Sequence, residues 1–195
     1  MRKVDLTRKT AETDVRVELD LDGTGRYGNK TGVAFFDHML DQFAKHGSFD
    51  LAVKAQGDLD VEAHHTVEDV GIVLGQAFRE ALADKEGIRR YGSATIPMDE
   101  SLAVAAVDLG GRAYCVVDVP LVRSDIGDFP TELLVDFFEA FARNAQANVH
   151  VKLLYGRNDH HKIEACFKAF ARALRMACSK DKRLARTLPS TKGLL

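Results

Sequence analysis

Apolar and polar positions follow two different rhythms along this chain. Residues 15–21 alternate, with Val15, Val17, Leu19 and Leu21 set against Arg16, Glu18 and Asp20, which predicts a strand with one buried face. Asp22-Gly23-Thr24-Gly25 marks a turn. Over residues 36–45 the period lengthens and puts Met39, Leu40 and Phe43 on one face of a short helix. Residues 49–55 alternate as a strand again. From about residue 66, Val67, Val70, Val73, Leu74, Ala77, Phe78 and Leu82 recur at three- and four-residue steps, the stripe of an amphipathic helix. The second half follows with strands at 102–109 and 113–119, a helix at 131–144 and a strand at 147–154. A last helix carries Ile163, Phe167, Phe170, Ala171 and Leu174. Each half reads strand, strand, helix, strand, helix, an α+β layout in which helices cover one face of a sheet.

The order repeats because the sequence repeats. His64-His65-Thr66-Val67-Glu68 matches His160-His161-Lys162-Ile163-Glu164, 96 residues on. Upstream, Leu40-Asp41-Gln42-Phe43-Ala44-Lys45 matches Phe138-Glu139-Ala140-Phe141-Ala142-Arg143, and Leu19-Asp20-Leu21 matches Val107-Asp108-Leu109. Three matches in one order predict an internal duplication, with halves at residues 1–90 and 91–195 forming one compact functional unit.

Composition narrows the function. A net charge of −2 argues against a nucleic-acid surface, which needs a basic excess, but leaves room for a few cations around a small phosphate. The first residues lack the apolar core of a signal peptide, and no apolar run approaches the ~20 residues of a membrane span. Cys115, Cys166 and Cys178 are odd in number and lie in apolar stretches, so buried reduced thiols and a cytoplasmic location are expected.

Histidine with carboxylate suits a divalent ion such as manganese, iron or zinc. Residues four apart share a helix face, so His64 can converge with Glu68 and His160 with Glu164, while His65 and His161 point about 100° away. This predicts two metal sites, one from His64, Glu68 and His161, the other from His160, Glu164 and His65. His38 and Asp136, matched by the repeat, are further candidate ligands, with His46 and His150 behind them. A single His-His-x-x-Glu is a weak signal, and solvated histidines at a helix start are common. Two copies at matching places favour metal.

The segments Arg8-Lys9-Thr10-Ala11-Glu12-Thr13, Phe36-Asp37-His38-Met39-Leu40, His64-His65-Thr66-Val67-Glu68-Asp69, Asn158-Asp159-His160-His161-Lys162-Ile163-Glu164 and Leu188-Pro189-Ser190-Thr191-Lys192-Gly193 together resemble the imidazoleglycerol-phosphate dehydratase family in its single-function form. The resemblance implies a ribosomal-protein-S5-domain-2-like duplicated fold and two Mn2+ ions per active site. It also implies a homo 24-mer with sites at subunit interfaces, and dehydration of D-erythro-imidazole glycerol phosphate to imidazole acetol phosphate in histidine biosynthesis. By the same resemblance Glu12 joins His64, His65, Glu68, His160, His161 and Glu164 in catalysis. His38, Gln42, His46, Arg90, Arg112, Lys168, Ser190 and Lys192 contact substrate, together with Glu12. The family carries a histidine where this chain has Asp136, whose hard oxygen also suits manganese.

The chemistry is demanding, because no carbonyl acidifies the proton that must leave. The imidazole ring has to supply the driving force, with the ions as Lewis acids and template. Three rival readings are a two-metal phosphate-ester hydrolase, an RNA-binding module and a purely structural metal site. Hydrolase sites lean on several aspartates, RNA modules on basic aromatic surfaces and structural sites on cysteine, whereas here histidine dominates the motifs, the net charge is −2 and the motifs themselves contain no cysteine.

Overall fold

A computed structural model describes residues 2–185 and 187–193 of the chain. The first half consists of β1 (Lys3–Lys9), β2 (Thr13–Asp20), α1 (Ala34–Gly47), β3 (Asp50–Gly57) and α2 (His64–Leu82). The second consists of β4 (Tyr91–Met98), β5 (Ser101–Asp108), β6 (Tyr114–Asp118), β7 (Asp125–Ile126), β8 (Phe129–Pro130), α3 (Leu133–Ala145), β9 (Asn148–Tyr155) and α4 (Asp159–Cys178). The β-β-α-β-α order therefore recurs, with β6 to β8 inserted in the second copy. The hairpin of that copy is β4–β5, so the strand expected at 113–119 is not one of its arms. It is β6, parallel to β9 at the edge of the sheet. β4 escaped the periodicity because Gly92 and Pro97 interrupt it. At a sheet edge the missing proline N–H costs little.

The sheets run β1-β2-β3 and β4-β5-β9-β6. Helix α2 packs on β1 and β2, and α4 packs on β4 and β5. Across the halves, α2 lies against α3 and α1 against α4. The helices thus occupy the space between the two sheets, and the faces toward them hold Val15, Val17 and Leu19 on β2 and Ala103, Ala105 and Val107 on β5. Fully buried Phe36, Phe43, Phe78, Phe137, Phe138, Phe141, Phe167 and Phe170 interlock edge-to-face or stacked where the helices meet. Each contributes about 1.5–3 kcal/mol by leaving water. The α2–α3 approach is close because two glycines face the partner: a Cβ at Gly75 would lie 2.6 Å from the Phe141 carbonyl oxygen, and one at Gly71 2.9 Å from that of Phe137.

Candidate metal centre

The cross-half packing brings α1 of the first copy against α4 of the second, and the functional side chains follow. His160 and Glu164 are one helical turn apart, with His160 Nε2 3.2 Å from Glu164 Oε2. From α1, His38 places its Nε2 3.4 Å from the same oxygen. The three ligand atoms lie within 4.8 Å of one another. Two ligands about 2.0–2.2 Å from one ion at near-right angles stand about 3 Å apart, so the spacing suits a shared divalent cation. Two imidazoles and a carboxylate are also the donor set for manganese, iron or zinc. Glu164 is buried. Burial alone would raise its carboxyl, but Lys168 Nζ at 2.5 Å and His38 outweigh this and hold it below its usual range.

Beside this cluster, buried and half-buried residues recur at helical steps along the α1–α4 contact. His38, Gln42 and His46 are four apart on α1, and His160, Glu164 and Lys168 are four apart on α4. His46 Nε2 meets Gln42 Oε1 at 3.2 Å, and burial, reinforced by Lys168, pushes its imidazole pKa down.

The ligand sets expected from the repeat do not assemble within one chain. His65 does not join His160 and Glu164, and His161 does not join His64 and Glu68; among the described residues no group but His38, His160 and Glu164 converges so closely. The reason is the ~100° between neighbouring helix positions. His65 turns to Asp58, with Nδ1 3.0 Å from Oδ2, and this bond raises its pKa; Glu12 lies 3.9 Å away. His161 turns to Glu100, with Nδ1 2.8 Å from Oε2, and Asp99 lies 3.7 Å from its Nε2. Asp136 sits half-buried on α3, the helix packed against the one bearing His64 and Glu68. His150 lies on the outer side of β9, stacked near Tyr114 and away from these groups.

The hairpin tips hold the acids in place. Thr10 Oγ1 accepts the N–H groups of Glu12 and Thr13, and Arg8 and Thr13 both reach Asp69 on α2. This anchors the β1–β2 tip over the start of α2 and leaves Glu12 57% exposed beside His65. At the matching β4–β5 tip, Glu100 accepts the N–H of Asn158 at 2.8 Å just before α4. Asp58, Asp99 and Glu100 were not singled out from the sequence. The equivalence of the tips Thr10-Ala11-Glu12 and Asp99-Glu100 was the signal for the last two.

Of the residues expected to hold the phosphate of the substrate, Arg90, Arg112, Lys168, Ser190 and Lys192, the structure sets Lys168 apart against Glu164, and the others lie away from that cluster. Arg90 pairs through two nitrogens with Asp108 at the end of β5 and donates to the Pro189 carbonyl at 2.8 Å, which seats the Ser190-Thr191-Lys192 turn beside it. Arg112 follows Asp108 by four residues and accepts the Asn148 side-chain N–H at its carbonyl.

The model of the imidazoleglycerol-phosphate dehydratase family matches residues 31–174. The imidazoleglycerol-phosphate dehydratase of Koribacter versatilis is 62% identical over 195 residues, covering all of both chains, and that of Dinoroseobacter shibae is 56% identical with the same coverage. Among solved structures, the Staphylococcus aureus enzyme superposes with a TM-score of 0.83 at 40% identity, over 92% of this chain and 99% of its own. The Pyrococcus furiosus enzyme gives 0.84 at 39% identity, over 97% and 100%. A family match through the core of the chain, and relatives this similar from end to end, lead to one conclusion: the chain belongs to the imidazoleglycerol-phosphate dehydratases, hydro-lyases of histidine biosynthesis.

Proposed function

We propose that this chain removes water from D-erythro-imidazole glycerol phosphate, giving imidazole acetol phosphate, with two Mn2+ ions per active site. The observation that carries the metal part is the convergence of His38, His160 and Glu164. The repeat relates this set to Asp136, His64 and Glu68 on the other pair of packed helices, a counterpart for the second ion. His65 and His161 complete the ligands from neighbouring positions. When bound, the ions supply Lewis acidity and a template for the imidazole.

The chain's own residues do the rest. Glu12 is the proposed acid–base group, supported by its exposed position beside His65. Arg90, Arg112, Ser190 and Lys192 hold the phosphate, with a guanidinium fork and a turn rich in donors. Gln42, His46 and Lys168 lie beside the metal ligands along the α1–α4 contact and are the proposed substrate contacts there.

Two rulers support sites shared between copies. His161 is held at the start of β5 through Glu100, and Arg90 at its end through Asp108. At about 3.3 Å per residue these ends are roughly 25 Å apart. Along α4, His160 stands at the start, while the Arg90 N–H bonds the Ala177 carbonyl near the end, again roughly 25 Å at 1.5 Å per residue. The substrate is on the order of 10 Å long at ordinary bond lengths. One chain therefore does not bring its own metal ligands and Arg90 to one substrate molecule, and we propose a homo-oligomer, the 24-mer of the resemblance, in which a second copy supplies the phosphate group's partners. The proposal keeps the halves at residues 1–90 and 91–195, supported by the absence of strand pairing between the two main sheets among the described residues. It places the enzyme in the reducing cytoplasm, supported by three unpaired thiols.

The test is dehydration of imidazole glycerol phosphate by protein stripped of metal and then given manganese. Activity that returns only with manganese supports the proposal. A folded, manganese-loaded protein without activity overturns it and turns attention to phosphate-ester hydrolysis.

A further inference from the structure

His65 and His161 each carry an unexpected partner. Both imidazoles use Nδ1 to contact a carboxylate, Asp58 in one half at 3.0 Å and Glu100 in the other at 2.8 Å. The carboxylates come from different places in the two copies. Asp58 lies between β3 and α2, on the same side of its helix start, whereas Glu100 lies on the β4–β5 tip. The same ring atom is engaged by different routes, which points to the ring atom as the constraint. An ionised carboxylate only accepts, so the proton of each neutral imidazole sits on Nδ1 and the lone pair of Nε2 is left free.

We infer that Asp58 and Glu100 are positioning residues that set the tautomer and ring direction of His65 and His161, so that Nε2 of each is ready to ligate a metal ion. The inference rests on the proposed metal chemistry. Glu100 has a second task that makes it testable. Its Oε1 accepts the N–H of Asn158 at 2.8 Å, the N–H of Arg157 at 3.3 Å and the Ser101 hydroxyl at 3.1 Å, while its Oε2 faces His161. A glutamine at this position must keep its carbonyl oxygen toward the two backbone N–H groups. Its NH2 then faces Nδ1, which has to become an acceptor, and the ring proton moves to Nε2. The loop clamp survives while the ligand atom is blocked.

The experiment compares wild type, Glu100→Gln, Glu100→Asp and Asp58→Asn by manganese content after dialysis, by manganese affinity from titration calorimetry, and by kcat and KM at saturating manganese. Apo-protein melting temperature checks the fold. Loss of such an outer partner weakens metal binding about 10–100-fold. We expect that loss for Glu100→Gln and Asp58→Asn with little change in apo melting, and recovery of at least part of it in Glu100→Asp. Wild-type binding of manganese with unchanged affinity in both amide variants overturns the inference alone. Weakened affinity that tracks a lowered apo melting temperature, with no recovery in Glu100→Asp, also overturns it, since a structural role then accounts for the effect. A wild-type protein that takes up no manganese overturns the metal reading and this inference together.

Discussion

At the scale of single residues, the site works by giving similar side chains different neighbours. Glu164 and Glu12 are both glutamates, yet one is buried beneath His38, His160 and Lys168 and the other stands in solvent beside His65. The proposed function gives the first the task of holding a cation and the second that of exchanging a proton. Replacing Glu12 with glutamine keeps its size and removes its basicity, so kcat should fall about 10²–10⁴-fold, the usual worth of a general acid–base group, while metal content stays at the wild-type level. Parallel turnover and metal assays decide this, and unchanged turnover would remove Glu12 from the chemistry. His38→Ala should act in the opposite way and lower metal content, because it deletes one of the three converging ligands. The buried thiols are a further contrast. Burial pushes Cys166 and Cys178 up to about 12, so both stay protonated at neutral pH and should resist alkylation until the chain unfolds.

At the scale of elements, two packing features can be tested. Glycines 71 and 75 let α2 lie against α3, and a methyl group at position 75 would meet backbone atoms that cannot step aside. Alanine is intrinsically about 1 kcal/mol better than glycine inside a helix, but overpacking costs about 1–3 kcal/mol, so Gly75→Ala should lower the melting temperature. The start of α4 is pinned by Asp159, which is buried, accepts the N–H groups of Val122 and Arg123 and pairs with Lys162 at 2.7 Å. Burial alone would raise this carboxyl, but Lys162 and the two N–H groups outweigh burial and keep it below its usual value. A carboxyl lower in the folded than in the unfolded chain adds stability that is present above the unfolded pKa of about 4 and fades as pH falls through the folded value. Asp159→Asn should therefore destabilise by about 3–5 kcal/mol at pH 7, since it leaves the Lys162 charge buried and unpaired. The gap to wild type should narrow below about pH 4. Unfolding curves at pH 7 and at acid pH would show it, and a pH-independent gap would refute the charge argument.

At the scale of the whole molecule, the two ends of α4 are roughly 25 Å apart, and the proposed function, with metal ligands at one end and Arg90 at the other, therefore needs two copies of the chain. Mixing two inactive variants tests this. His160→Ala and Arg90→Ala, each without activity alone, should regain a measurable fraction after joint disassembly and reassembly, because some sites then combine an intact metal cluster with an intact phosphate group. No recovery in a mixed assembly would mean that each site is built from one copy.

By itself the sequence determined the α+β class, the repeated order of its elements, the helix faces and the placing of His160 and Glu164 one turn apart on α4. These depend on positions a few residues apart, where the helical repeat dictates which side chains share a face. Only the tertiary structure decided the rest. That His38 reaches Glu164 across 126 residues, and Glu100 reaches His161 across 61, follows from which helices and hairpin tips pack together. The repeat suggested that each copy lends a histidine to the other's pair, and in the folded chain the lender to His160 and Glu164 is His38, because α1 lies against α4 while His65 points to its own hairpin. Such long-range choices are made by burial of the phenylalanine core, which is satisfied by one arrangement of four helices between two sheets, and no local period records that arrangement.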